Sequence, residues 1–194
     1  MFNAHKYHSV IYYYRETIDT YPHLMQEALN FLQEIKNHPL VLRVHLIGFS
    51  AGAHLALSLA IASSSLASLV LFYPVVSTDP QIAHLGSINN ISQGLPETIN
   101  ISLEKQIHEN MPRTFLVTSS DDASVDLENS LRLISAYHAK KNKIEAHIYE
   151  HGRHGFSIIT KETTFDGQSY AKYQKEHHNI KTFARSLFNF LKTV

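Results

Sequence analysis

The chain has 194 residues, 44% hydrophobic and 18% charged, the balance of a globular rather than a disordered protein. Its 17 Lys and Arg are matched by 17 Asp and Glu, which leaves no cationic footprint for nucleic acid or an anionic membrane surface. The absence of cysteine removes disulfides, thiolate catalysis and cysteine-type zinc sites.

The start, Met1 to Lys6, lacks the basic and apolar regions of a signal peptide, and no run reaches the length of a membrane span. A cytoplasmic chain folding as one domain over residues 1–194 is therefore expected. The 14 histidines are scattered, and no His-Glu-x-x-His spacing occurs, so no metal site is expected.

In chain order, His8 to Tyr14 is β-branched and aromatic and predicts a strand. A polar connection from Arg15 to Thr20 follows. Thr20 then suits an N-cap and Pro22 a first helical turn. Leu24, Ala28, Leu29, Leu32 and Ile35 give that helix one apolar face, and Asn37 to Pro39 stop it. Val41 to Ile47 reads as a strand covered on both faces. Gly48-Phe49-Ser50-Ala51-Gly52 comes next, followed by an Ala/Leu-rich helix to about Ser63.

Ser68 to Tyr73 is another buried strand, ended by Pro74. Residues 77–110 carry turn formers with little periodicity and predict an irregular excursion over the functional edge, with a short helix at Leu103 to Glu109. Thr114 to Thr118 predicts a strand, Ser119 to Val125 a polar loop and Asp126 to Lys140 a helix. Ile144 to Tyr149 alternates as a strand and leads into a glycine-containing loop, His151 to Phe156. From about Gln168 to the end, an aromatic and aliphatic stripe marks a C-terminal helix.

This alternation predicts an α/β fold: a mostly parallel sheet with helices on both faces. Active groups in such sheets gather at the carboxyl ends of strands, so Ser50, the 119–125 loop and the 151–156 loop should share one rim. Strand, Gly-x-Ser-x-Gly, helix is the pattern of a nucleophile elbow, in which a sharp turn exposes the serine hydroxyl. Both glycines are expected to be steric requirements of that turn.

A serine hydroxyl needs a base, and the base a carboxylate to fix its tautomer. Their order in this fold is serine, acid, histidine, which Ser50, Asp121 or Asp122, and His154 satisfy. His154 lies between Gly152 and Gly155, whereas His151 leaves its strand too early to reach over the rim. Asp122 is preferred as the acid, with Asp121 read as a solvated carboxylate or a turn cap. Asp126 and Glu128 are read as first-turn residues that favour the helix dipole.

These residues resemble the α/β-hydrolase superfamily, and within it bacterial carboxylesterases related to acetyl-xylan esterases and feruloyl-esterase-like proteins. The similar stretches are Ile47 to Ala56, Val70 to Ser77, Ala83 to Ser87, Ser102 to Gln106, Thr114 to Val125 and Gly152 to Phe156. In that family the acid lies three residues before a valine, as Asp122 does before Val125. The base precedes Gly-Phe, as His154 does. The resemblance implies a serine esterase that cleaves short-chain acyl esters of small molecules, acetyl esters and carbohydrate esters among them, without a cofactor. Ser50 would be the nucleophile, His154 the base, Asp122 its orienting acid and the Ala51 N–H an oxyanion donor. Phe156 and the 77–110 segment would shape the pocket.

Two departures stand out. Ala53 replaces a usual glycine. Family members also carry upstream strands and a His-Gly-Gly-Gly-like loop that supplies part of the oxyanion hole, and here no glycine precedes Gly48. The expectation is an N-terminally truncated α/β-hydrolase fold with Met1 as an internal start. The strand of His8 to Tyr14 would then pair directly with that of Val41 to Ile47, or a gap and an open edge would remain that a homo-oligomer could cover. A prolyl-oligopeptidase-like peptidase and a catalytically impaired esterase fragment are the alternative functions.

Overall fold

A computed structural model of the chain describes residues 2–14, 20–92, 95, 101–156, 164 and 169–193. Four strands, β1 (His45–Phe49), β2 (Ser68–Phe72), β3 (Thr114–Ser119) and β4 (Ile144–Tyr149), lie side by side in chain order. All three pairings are parallel, with Phe49 opposite Phe72, Phe72 opposite Val117, and Ser119 opposite Tyr149. Parallel pairing needs a crossover each time, so all four carboxyl ends face the same rim.

Side chains alternate across a strand, and here both sets find cover. Leu69, Leu71 and Leu116 pack with Leu57 of α2 (Ala51–Ala62) and Leu133 and Tyr137 of α4 (Glu128–Ala139). Val70, Phe72, Phe115 and Val117 meet Phe183, Leu187 and Phe190 of α6 (Phe183–Lys192) on the opposite face. The helix α1 (Tyr21–Asn37) lies outside α2, Ala28 and Leu32 clustering with Leu55 and Leu59. Pro22 sits in its first turn; Thr20 occupies the cap position without a capping side-chain bond. The expected parallel sheet with helices on both faces is present.

The largest correction concerns His8 to Tyr14. These residues form no strand; Tyr12 packs on Phe31 of α1 (5.1 Å), and Tyr7, just before the run, turns its ring to His45 of β1 (5.7 Å). A strand needs a partner's backbone, and here the aromatic rings take helix and strand side chains as partners instead. Among the described residues β1 therefore pairs with β2 alone and is an edge strand. It also begins at His45 rather than Val41, because Val41 N–H closes a turn on His38 C=O (2.9 Å).

The excursion is more ordered than expected. It contains α3 (Leu85–Ser92), while the predicted helix at Leu103 to Glu109 is only a 3-10 turn, Leu103–Gln106. The C-terminal stripe is split into α5 (Tyr170–Glu176), a 3-10 turn at His178–Thr182, and α6. The expected connection over 15–19, the 93–94 and 96–100 parts of the excursion and the helix start at Gln168 lie outside the described residues. No helix among the described residues is long and apolar enough to cross a membrane.

Candidate active site

Ser50 stands between the last residue of β1 and the first of α2, with φ 52° and ψ −120°. Such a conformation is costly for a residue with a side chain and persists only where its surroundings impose it. Here Ser50 N–H donates to Phe72 C=O (3.0 Å), and its own carbonyl accepts from Ala53 N–H (3.0 Å) and Val75 N–H (3.4 Å). A Cβ on Gly48 would collide with the Gly52 carbonyl and lie 2.8 Å from Ala53 N, so the first glycine is obligatory. The second is not: among the described residues a Cβ on Gly52 would meet only the Tyr14 hydroxyl, at 3.9 Å. The steric expectation for Gly52 is corrected accordingly, since its open side faces the loosely covered N-terminal flank.

The loop after β3 carries Asp121 and Asp122 in different roles. Asp122 turns its Oδ1 to its own loop, accepting from Ser124 N–H (2.8 Å) and Val125 N–H (2.9 Å). Its Oδ2 lies 2.8 Å from His154 Nδ1, and the side chain is fully shielded from solvent. Asp121 reaches across to the next loop, where its Oδ1 accepts from Gly152 N–H (2.9 Å) and Arg153 N–H (2.8 Å). It is neither a free carboxylate nor a cap on its own turn, as the sequence had implied; it ties the histidine loop to β3. Only the Asp-Asp tandem hinted at this, because the partners lie some thirty residues downstream.

Three further features hold the histidine loop. Ser119 Oγ donates to Arg153 C=O (3.2 Å), and Gly152 lies so close to Ser119 Cβ that an added Cβ would approach to 2.8 Å. Arg153 and Gly155 both take positive φ, 60° and 81°, which turns the chain sharply around His154. Phe156 then drops into the core at 0% exposure against Tyr73, Tyr149 and Phe183. That corrects the expectation of a pocket residue: a ring with no free surface has none to offer a ligand.

The outcome is a continuous relay: Ser50 Oγ to His154 Nε2 at 2.9 Å, and His154 Nδ1 to Asp122 Oδ2 at 2.8 Å. Burial pushes the Asp122 carboxyl up, but the hydrogen bond from His154, those from Val125 and Ser124 N–H, and the imidazole charge outweigh it. The group is held below the usual carboxylate range, and so ionised near neutrality. Asp121 is also held low, its burial outweighed by the Arg153 and Gly152 N–H groups. Ala51 opens α2, where first-turn N–H groups have no intrahelical acceptor and the helix dipole favours negative charge. Among the described residues no three His, Asp or Glu side chains gather as a metal-binding set.

The family model described as the dienelactone hydrolase family matches residues 15–192, nearly the whole chain. The chain belongs to the dienelactone hydrolase family. It is 30% identical over 156 residues to an endo-1,4-beta-xylanase B of Butyrivibrio fibrisolvens, covering 72% of this chain and 24% of that one. It is 31% identical over 129 residues to an acetylxylan esterase of Xylanibacter ruminicola, covering 60% and 26%. It thus spans about a quarter of the length of the curated relatives it matches. A solved acetyl ester-xyloside bifunctional hydrolase of Caldicellulosiruptor lactoaceticus superposes with a TM-score of 0.58 at 27% identity, over 82% of this chain and 64% of the other. The α/β-hydrolase fold expected from the sequence is the fold of this family.

Proposed function

We propose that the chain is a serine hydrolase of short-chain carboxylic esters, acetyl esters of carbohydrates in particular, working through an acyl-enzyme. The observation that carries this reading is the relay from Ser50 through His154 to Asp122. In the first half-reaction Ser50 Oγ attacks the ester carbonyl while His154 Nε2 takes its proton; Asp122 holds the other ring nitrogen and balances the imidazolium. The carbonyl oxygen gains negative charge at the start of α2 and takes the Ala51 N–H as its hydrogen-bond donor. Collapse of the tetrahedral species passes the proton from His154 to the departing alkoxide. In the second half-reaction water, deprotonated by the same nitrogen, attacks the acyl-serine, and Ser50 leaves reprotonated. The relatives' printed names, acetylxylan esterase and acetyl ester-xyloside hydrolase, support acetyl groups on sugars as the substrate class.

Two features of this reading extend beyond the relay. Residues 1–194 are proposed to act as one domain, and a homo-oligomer is proposed to cover the outer side of β1. The decisive experiment combines a fluorophosphonate probe with turnover of p-nitrophenyl acetate and acetylated xylo-oligosaccharides by the purified chain. Labelling and turnover are expected in the wild type, with both lost in Ser50→Ala, a fall of at least about 10⁴-fold, at unchanged thermal stability. Hydrolysis of aminoacyl-proline amides in preference to acetyl esters would overturn the esterase assignment.

A further inference from the structure

We infer that Tyr73 is a positioning residue for His154: its ring, seated against the imidazole, keeps Nε2 on Ser50 and Nδ1 on Asp122 while protons are passed. This rests on the triad reading above and adds to it a residue from a fourth segment, the exit of β2. The starting observation is a backbone outlier. Tyr73 has φ 36°, a conformation that side chains disfavour, yet it is only 5% exposed. Strain held at a buried aromatic residue needs a cause, and the ring contacts supply one. The Tyr73 ring meets His154 at 4.8 Å between centroids and 63° between planes, and Phe156 at 5.2 Å and 61°. Both are edge-to-face arrangements, favourable for aromatic pairs.

The imidazole needs such a neighbour. His154 hydrogen-bonds at both nitrogens, but a quarter of its side chain faces solvent, so one flank is unpacked. Two in-plane hydrogen bonds leave rocking of the ring about the axis between them weakly opposed. A ring packed across its flank opposes that motion. Among the described residues the side chains bearing on His154 are Ser50, Asp122 and Tyr73, while Asp121 pairs instead with the loop backbone and lies 3.6 Å from His151. Burial and the Asp122 charge push the Tyr73 phenol up, so it stays neutral beside the carboxylate.

Tyr73 can act this way because the segment it begins is fixed. Its N–H donates to Val117 C=O (2.7 Å). Two residues on, Val75 C=O accepts from the buried His54 ring (3.2 Å). Val76 and Ser77 N–H both donate to Oδ1 of the buried Asn129 (3.0 and 2.9 Å), and Leu103 N–H donates to Val76 C=O (3.0 Å). The frame meets the relay only through backbone, where His54 and Val75 N–H donate to Ser50 C=O (3.3 and 3.4 Å), and it is the mount on which Tyr73 sits.

The test compares Tyr73→Phe, which keeps the ring, with Tyr73→Leu, which removes it. Should Tyr73→Leu fail to fold, Tyr73→Met is used in its place. Turnover of p-nitrophenyl acetate is read with ¹⁵N-histidine spectra, His154 being identified by the signal missing in His154→Asn. Tyr73→Phe is expected to match wild type. Tyr73→Leu is expected to lose about tenfold to a hundredfold in kcat with little change in KM, and its His154 signals should shift from a single Nδ1–H tautomer to a mixture. A folded Tyr73→Leu with wild-type kcat and wild-type His154 signals overturns the inference. If the wild type neither turns over nor labels, the esterase reading fails, and the His154 spectra alone decide the role of Tyr73.

Discussion

Two stretches of similar composition behave in opposite ways. Ser68–Phe72 is a central strand, buried at every residue. His8 to Tyr14, equally β-branched and aromatic, makes no strand and leaves Val10, Ile11 and Tyr13 exposed, Tyr13 at 84%. The difference is not propensity but company. β2 has a parallel neighbour on each side and a helical layer on each face, so both its backbone and its side chains are satisfied. The N-terminal run packs Tyr12 on α1, and among the described residues its backbone pairs with no strand. β-Propensity measures fitness for a pleated, half-buried surface, and here it turns into a strand only where such a surface exists. The molecule thus has a pinned side, from α2 to β4, and a loosely covered flank outside β1.

The elbow lies on the boundary between them, and its two glycines test the contrast most severely. Gly48 faces the packed side, where an added methyl meets the backbone of Gly52 and Ala53. Backbone atoms of a helix start cannot rotate away, so Gly48→Ala is expected to cost more than about 3 kcal/mol and to abolish the elbow. Gly52 faces the flank, where among the described residues an added Cβ comes near only the Tyr14 hydroxyl. Gly52→Ala is expected to change stability by less than about 1 kcal/mol, helped by the helix propensity of alanine. Urea denaturation of both variants reads the difference. Equal damage from the two would show that the flank is packed as tightly as the interior.

The same contrast explains what could be read in advance. The pinned side follows local rules: buried apolar runs gave strands near their expected positions, and parallel pairing put Ser50, Asp122 and His154 on one rim in their expected order. What could not be read was any feature set by a distant partner. Asp121 looks like a loop carboxylate until the histidine loop arrives beneath it. Asn129 looks like a helix-surface amide, yet it is buried and its Oδ1 accepts from the Val76 and Ser77 N–H groups. Phe156 reads as a residue that shapes the pocket, but it is buried in the core with residues of α6. Tyr73 carried no local signal for a positive φ, which only its packing imposes. The strand expected over His8 to Tyr14 failed for the complementary reason: its local signal was strong, but Tyr12 packs on Phe31 of α1 and the run leaves the edge of β1 unpaired among the described residues.

A second measurement reads the pinned side through its proton chemistry. His54 is fully buried in the frame under Tyr73, donating from Nδ1 to Val75 C=O, while its Nε2 has no hydrogen-bond partner among the described residues. Burial pushes its pKa from the ordinary 6.5 down to about 4, partly offset by the bond to Val75. Between those values the unfolded chain binds a proton that the folded chain refuses, so stability rises with pH and falls on acidification. The loss should begin near pH 6.5 and approach about 3 kcal/mol near pH 4, as an order of magnitude. Asp121 and Asp122, held low when folded, contribute stability above their ordinary range and lose it only as pH falls below about 4. The two windows therefore separate. His54→Asn should flatten the melting temperature between pH 6.5 and 4.5 while leaving the steeper acid loss in place. An unchanged slope would mean that the frame admits water to His54.

The smallest effect on stability is expected on the other side of the boundary. Leu42 is 94% exposed just before β1, and Tyr13 lies in the run beside it. Neither buries surface that folding would recover, so Leu42→Ser and Tyr13→Ser should each move stability by no more than about 0.5 kcal/mol. Their effect should appear in association instead. An edge strand flanked by exposed aliphatic and aromatic groups invites pairing with another copy, and the homo-oligomer proposed above would use this flank. Sedimentation velocity across a concentration series should then show the wild type self-associating and Leu42→Ser shifted toward monomer. The matched control is Leu131→Ser on α4, also exposed but on the pinned side, which should leave the distribution where it was. If Leu131→Ser has the larger effect, the flank is not the contact surface, and the exposed residues beside β1 mark only the place where the sheet ends.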